Sequence, residues 1–191
     1  MERVSAPVSN ALRVREASLA DAEAVTELIE SAYRGDVSRQ GWTTEADLLD
    51  GQRTDVDAVR AALSRDDVRV LIATRNDDRL TRGSEVLLGC CQIERRPPQR
   101  AYFGSFAVRP DRQNLGMGKT LLAAAERTAS ALWQASVMEM TVIAQRAELI
   151  AWYQRRGYEL TGQTRPFPYD NERAGLPQRD DLHFVVLEKS L

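Results

Sequence analysis

Phe106-Ala107-Val108-Arg109-Pro110-Asp111-Arg112-Gln113-Asn114-Leu115-Gly116-Met117-Gly118-Lys119-Thr120-Leu121-Leu122 is the stretch whose reading decides the fold. An apolar run predicted as a strand, Ala101 to Val108, ends at Arg109-Pro110. Two glycines then open an Ala-rich helix predicted from about Lys119 to Gln134. The first amides of a helix lack intrahelical partners and sit at the positive end of its dipole, so this junction suits an anion. Gly116 and Gly118 have no Cβ, which lets a phosphate approach the backbone. Arg112 and Lys119 add positive charge nearby.

Two nucleotide motifs compete for this segment and fail. Gly116-Met117-Gly118-Lys119-Thr120 mimics the tail of a triphosphate loop, but the first glycine of that motif falls at position 113, which is glutamine. No later strand ends in an Asp placed for magnesium. A dinucleotide fingerprint needs a third glycine three residues past Gly118, and Leu121 stands there.

Gln113-Asn114-Leu115-Gly116-Met117-Gly118 instead resembles the acetyl-CoA loop of the GNAT N-acetyltransferase family. That pattern is Gln or Arg, two residues, Gly, one residue, then Gly or Ala, and it matches in full. The Val-x-Pro before it and Leu121-Leu122 after it match too. One strand and one helix later, Glu148-Leu149-Ile150-Ala151-Trp152-Tyr153-Gln154-Arg155-Arg156-Gly157-Tyr158 is similar to the second recognisable stretch of the family, ending Tyr-x-x-x-Gly-Phe/Tyr. The similarity runs from about Val86 to Leu187. Gly41 to Glu45 through Gly51 to Arg53 also resembles a subgroup of small acetyltransferases, which names no substrate.

The resemblance implies an acetyl-CoA-dependent N-acetyltransferase moving an acetyl group to a primary amine by direct attack in a ternary complex, with a small molecule as acceptor. Acylation of a protein or peptide amine, and a non-catalytic acyl-CoA-binding module, are the alternatives. It implies that Gln113, Asn114, Leu115, Gly116, Met117, Gly118, Lys119 and Thr120 bind the pyrophosphate, with Arg112 beside them. Phe106, Ala107 and Val108 would pair their backbone with the pantetheine arm, and an amide near Val108 would face the developing oxyanion. Arg146 stands where many members carry an Asn seven residues before the tyrosine, and is a candidate for CoA phosphate or for plain solvation. Tyr153 would be the general acid: a thiol of pKa ~8.5 leaves more easily with a proton supplied, and a phenol of pKa ~10 still holds one at neutral pH. Simple packing against Leu149 competes with that role.

For the general base, Glu94 ends one strand and Glu139 sits alone in the apolar run Val137-Met138-Glu139-Met140-Thr141. A buried carboxylate has a raised pKa and serves as a base, whereas a sheet-face charge pairs with an arginine. Acceptor-site candidates come from the resemblance: Tyr33, Trp42, Glu45 and Arg53 on one side, and Phe167, Tyr169 and His183 on the other. Glu45 would attract a cationic amine or stabilise a helix start. His183 is the only histidine and reads more readily as structural.

The rest of the chain fits an α/β fold. Strands are expected at Leu12 to Glu16, Val68 to Thr74, Val86 to Ile93, Val137 to Ile143, Tyr158 to Thr164 and Leu182 to Leu187. Helices are expected after the Ser18 to Asp21 capping box, after Thr43 or Thr44, from Thr54-Asp55, and from Ala147 to Arg156. Asn76-Asp77-Asp78-Arg79 is a turn. A run of strands and then alternation with helices predicts a mixed, mostly antiparallel sheet of about seven strands with helices on both faces. The 191 residues suit one domain over 12–191, after a lead-in over 1–11.

Net charge is −2, which speaks against a nucleic-acid partner. No apolar run nears the ~20 residues that span a bilayer, so no membrane partner is expected. Cys90 and Cys91 are the only cysteines. Neighbours in a strand face opposite ways, so they form neither an ordinary disulfide nor a metal pair, and a cytoplasmic setting is the default. No metal is expected. A homodimer is compatible with the resemblance alone.

Overall fold

The computed structural model describes residues 12–76, 85–113 and 116–191. The expected lead-in, Asp77-Asp78-Arg79 of the expected turn, and Asn114 and Leu115 lie outside the described residues.

Strand β1 (Arg13–Glu16) leads to a 3-10 turn at Leu19–Asp21, where the Ser18 amide donates to the Asp21 carboxylate at 2.7 Å, as the capping-box spacing predicts. Helix α1 (Ala22–Tyr33) buries Ala22, Val25, Ile29, Ala32 and Tyr33 along one face. A single helical turn, α2 (Gly35–Ser38), and a two-residue strand, β2 (Leu49–Asp50), precede α3 (Val56–Leu63). Asp55 caps α3 by accepting from the Ala58 amide at 2.7 Å.

The expected helix after Thr43 or Thr44 is not formed. Thr44 instead accepts from the Ala46 amide at 3.1 Å, and the chain makes one turn closed by Leu49 N–H to the Glu45 carbonyl at 2.9 Å. Pairing of β2 with a late segment then pulls the backbone straight.

Strands β3 (Val68–Asn76), β4 (Glu85–Arg96) and β5 (Arg100–Val108) form an antiparallel run. Helix α4 (Met117–Trp133), β6 (Val137–Ile143), α5 (Ala147–Gln154), β7 (Glu159–Pro166), β8 (Leu176–Pro177) and β9 (His183–Ser190) complete the order. Among the described residues the sheet has seven strands in the order β1-β3-β4-β5-β6-β9-β7, and β2 pairs with β8 in a separate ribbon. Among the described residues only β5 and β6 are parallel, and every other pair is antiparallel.

Alternation along β3 and β4 splits the core in two. Leu71, Ala73, Cys91 and Ile93 face α4 with Leu121, Leu122 and Ala125, while Val70, Ile72 and Cys90 face α1 and α3 with Val25, Ile29 and Val59. The adjacent cysteines therefore serve opposite faces. Each fully buried Leu or Ile contributes about 1.5–3 kcal/mol on leaving water. A third, smaller cluster joins Leu49, Ile143, Phe167 and Leu182, and seats the β2–β8 ribbon on the end of β6.

Candidate active site

The site begins where two parallel strands part. Strand β5 pairs with β6 only from Arg100 to Tyr102, opposite Val137 to Glu139. Beyond Tyr102, β6 continues with β9 and β5 with β4, so a wedge opens between them. A bulge shifts the β4–β5 register between Cys90 and Gln92, and Ser105 sits there at φ 45°. A serine in the left-handed region is strained, and the surrounding sheet holds it. The Phe106 carbonyl lies inside this irregular stretch and accepts from the Tyr33 hydroxyl.

After Val108 the chain makes a 3-10 turn at Pro110–Arg112 and starts α4 at Met117. Gly116 caps that helix at φ 78°, where a Cβ would meet nothing within 4 Å, so glycine serves the conformation and its surroundings are open. No acidic residue occupies the first turn of α4, which leaves the dipole and the first amides to an outside anion. Exposed Arg112 and Lys119 flank it.

The cleft measures about 620 Å³ and runs from this helix start to α5. Phe106, Val108, Arg112, Gln113, Gly116, Met117, Gly118, Lys119 and Arg146 line it, together with Tyr33 and Trp42. Thr43, Trp152, Arg155 and Arg156 also line it, and the sequence reading passed over them. The Arg156 guanidinium lies 3.4 Å from the centre of the Trp152 ring and donates to the Trp152 carbonyl at 2.6 Å. Arg156 follows Trp152 by four positions, just past the end of α5, and that spacing was the available signal.

Gly118 plays a different part from the one expected of it. A Cβ there would stand 3.1 Å from Phe106 and 3.4 Å from Trp152, so this glycine lets α4 pack on the aromatic wall as well as reach the cleft. Gln113 is a tether: its carbonyl oxygen accepts from the Trp42 amide at 2.9 Å, and its amide donates to Thr43 Oγ1 at 2.9 Å and the Val108 carbonyl at 3.1 Å. Ala107 packs into the core under α1, and the exposed Thr120 hydroxyl donates back to the Gly116 carbonyl at 3.3 Å.

Tyr153 sits behind the cleft wall, 4% exposed, with its ring against Phe103, Phe106, Trp152 and Tyr158. Burial pushes its phenol well above the ordinary range. Its hydroxyl makes no hydrogen bond to a described residue, whereas that of Tyr33 is committed to Phe106.

Several expected roles meet a different geometry. Arg146 turns inward, donating to Glu45 at 2.8 Å and to the Thr43 carbonyl at 2.5 Å, so its charge is engaged by protein instead of solvent or phosphate. Glu45 is buried, with Arg34 at 2.9 Å on its second oxygen and Arg53 at 3.9 Å, which leaves no open face for an amine. Burial pushes the Glu45 carboxyl up, and Arg146, Arg53 and Arg34 more than reverse this, holding it below the usual carboxylate range.

Arg53 lies over the Tyr33 ring at 5.4 Å. Phe167 is core, stacked on Phe184 at 5.7 Å and edge-on to Tyr169 at 5.2 Å. His183 opens β9, with Nδ1 3.3 Å from the Asp181 carbonyl. Neither lines the cleft. Glu139 is held by Arg165 at 2.6 Å and Arg100 at 3.2 Å, and Glu94 by Arg65 at 3.2 Å and Arg96 at 3.3 Å. Both stand below the wedge, where β5 is still paired.

Comparisons with known proteins agree on the architecture. The Salmonella typhimurium protein yncA, solved with its cofactor acetyl-CoA, superposes with a TM-score of 0.67 at 19% identity, covering 95% of this chain and 94% of that one. A ribosomal-protein-alanine N-acetyltransferase from Brucella melitensis gives 0.66 at 22% identity, with 94% and 99% covered. A chimeric spermidine N-acetyltransferase from Vibrio cholerae gives 0.64 at 12% identity, with 95% and 96% covered. At such identities the likeness is one of fold. No curated protein matches the chain. The acetyltransferase (GNAT) family model matches residues 23–158, taking in the wedge, the glycine loop and α5, and the chain belongs to that family of acyltransferases.

Proposed function

We propose that this enzyme transfers an acetyl group from acetyl-CoA to a primary amine on a small molecule, by direct attack in a ternary complex. The observation that carries this reading is the junction of an open β5 edge with the start of α4. The edge offers backbone groups to an amide-bearing arm, and the helix start offers amides to a diphosphate. A cleft of about 620 Å³ lies within the size range of ligand and cofactor sites. The residues present therefore fit acetyl-CoA, with Gly116 to Lys119 and Arg112 at its phosphates and Phe106 to Val108 along its arm.

Bound acetyl-CoA supplies the acetyl group as a thioester, an acyl donor with a good leaving group. Trp42, Phe106 and Trp152 give the cleft an aromatic wall. Burial keeps the Tyr153 phenol protonated, and we assign its uncommitted hydroxyl as the hydrogen-bond donor to the leaving sulfur. Direct attack is favoured over an acyl-enzyme because burial pushes the Cys90 thiol up to about 12 and holds the Cys91 thiol well above the ordinary thiol range. Neither thiol supplies a nucleophilic thiolate at neutral pH.

Calorimetric titration with acetyl-CoA and, separately, with Mg-ATP tests the reading, using wild type and an Arg112→Glu/Lys119→Glu variant. Both side chains are exposed, so the variant keeps its fold. Wild type is expected to bind acetyl-CoA and not Mg-ATP, and the variant to bind at least about tenfold more weakly. A folded wild type that ignores acetyl-CoA overturns the proposal. Turnover confined to peptide amines would remove the small-molecule acceptor.

A further inference from the structure

Strands β5 and β6 stay paired with each other as far as Tyr102, which stands opposite Glu139. A ladder continued at the same register would place Gly104 opposite Thr141. Among the described residues no such pairing forms. A side-chain contact takes its place: the Tyr102 and Thr141 hydroxyls lie 2.6 Å apart. Strand alternation puts both on the face with Arg100 and Glu139, because Ala101, Phe103, Met138 and Met140 fill the side that α4 covers.

The Tyr102 ring is held at three points. Its hydroxyl meets Thr141. The Arg96 guanidinium lies over it, 5.1 Å from its centre. A Cβ on Gly104 would stand 3.1 Å from its Cε1, so the ring leans forward along β5 into space that only a glycine at 104 leaves free. Tyrosine and threonine together form a bar across the root of the wedge, joining two strands whose backbones have already parted.

We infer that Tyr102 and Thr141 determine which acyl group the enzyme carries, closing the wedge behind a two-carbon acyl group and excluding longer chains. The inference rests on the proposed use of acetyl-CoA. With the phosphates at the start of α4 and the arm along Phe106 to Val108, the thioester end points back along β5 towards Tyr102. The wall is continuous in that direction: Phe106 lines the cleft, and the Phe103 ring packs on the Phe106 ring at 5.2 Å. Gly104, beneath the bar, is two residues from Phe106, about 7 Å along a strand. A short acyl group ends before the bar, and a longer one meets a ring and a hydroxyl that are both already fixed. A fixed site penalises added methylenes because its walls cannot move aside.

The experiment is calorimetric titration of wild type, Tyr102→Leu and Thr141→Ala with CoA, acetyl-CoA and butyryl-CoA, which needs no acceptor. Wild type is expected to bind butyryl-CoA about tenfold or more weakly than acetyl-CoA. Each variant opens the bar and should bring the two donors to within about threefold of each other. A pair that only stabilised the sheet would weaken all three ligands together and leave their ratios as in wild type. Thr141→Ala removes no more than a hydroxyl and a methyl group, and decides the matter if Tyr102→Leu does not fold. Equal affinity of wild type for the two donors, or a wild-type ratio in the folded variants, overturns the inference and leaves the proposed function standing. A folded wild type that binds none of the three ligands overturns the proposed function, and the inference falls with it.

Discussion

The carboxylate of Glu45 meets the guanidinium of Arg146 at 2.8 Å, across 101 residues of sequence. Its other oxygen takes Arg34 at 2.9 Å. All three side chains are at or below 10% exposure. One carboxylate therefore fastens the end of α1, the 41–53 segment and the start of α5. Gln113 ties the same segment to the turn that opens α4, and β8 pins its far end. The segment is a strap across the inner end of the cleft, held by buried charge.

Glu45→Gln keeps the shape and removes the charge, leaving buried arginines unpaired. Breaking one side of such a pair costs about 3–5 kcal/mol, so a loss near the lower end of that range is expected in urea unfolding. The pH dependence has a definite sign. Because the folded carboxyl is held below its ordinary value, the unfolded chain takes up the proton first as pH falls. The stabilisation is present above the ordinary carboxylate value of ~4.3 and disappears as pH drops through the lower folded value. The gap between wild type and Glu45→Gln should therefore be full at neutral pH and shrink below about pH 4. A constant gap would show that Glu45 ionisation is not what holds the strap.

Gly41→Ala probes the tether at Gln113. A Cβ on residue 41 would stand 2.7 Å from the Gln113 amide nitrogen, so the side chain must swing away from Trp42, Thr43 and Val108. Each lost hydrogen bond contributes about 0.5–1.5 kcal/mol, and acetyl-CoA affinity should fall by roughly tenfold. Gln113→Ala should show the same loss without the clash. Wild-type affinity in both variants would separate the strap from the cofactor loop.

Tyr153→Phe tests proton delivery. Removal of a general acid lowers turnover by about 10²-fold or more, with little change in acetyl-CoA affinity, since the ring still packs. Tyr33→Phe should behave differently, because its hydroxyl satisfies the Phe106 carbonyl; it should cost about 1 kcal/mol in stability. Unchanged kcat in Tyr153→Phe would take that residue out of the chemistry.

Most of the fold was legible because its signals are local. Val137 to Ile143 is a strand within the predicted bounds, and α3 starts after Asp55 as its capping residue implies. The Thr43–Thr44 helix failed because a capping residue favours a helix start only locally, and tertiary pairing decides whether further turns form. Here β8 competes for Leu49-Asp50 and wins them for a ribbon. The glycine turn ahead of α4 was legible for the same local reason: a glycine at φ 78° before a helix is written in neighbouring residues.

The amino-acid order by itself determined the strands, the helices and the glycine-opened start of α4 at Gly116, since each depends on residues within one or two turns of one another. Only the tertiary structure decided what the charged side chains do. Glu45 is spent on Arg34 and Arg146, Glu139 on Arg100 and Arg165, and Glu94 on Arg65 and Arg96. It also set Tyr153 behind Phe106 and opened a second cavity against Ser105. A carboxylate takes whichever cation stands nearest through space. That distance is fixed by how the sheet and helices pack, and no spacing along the chain encodes it.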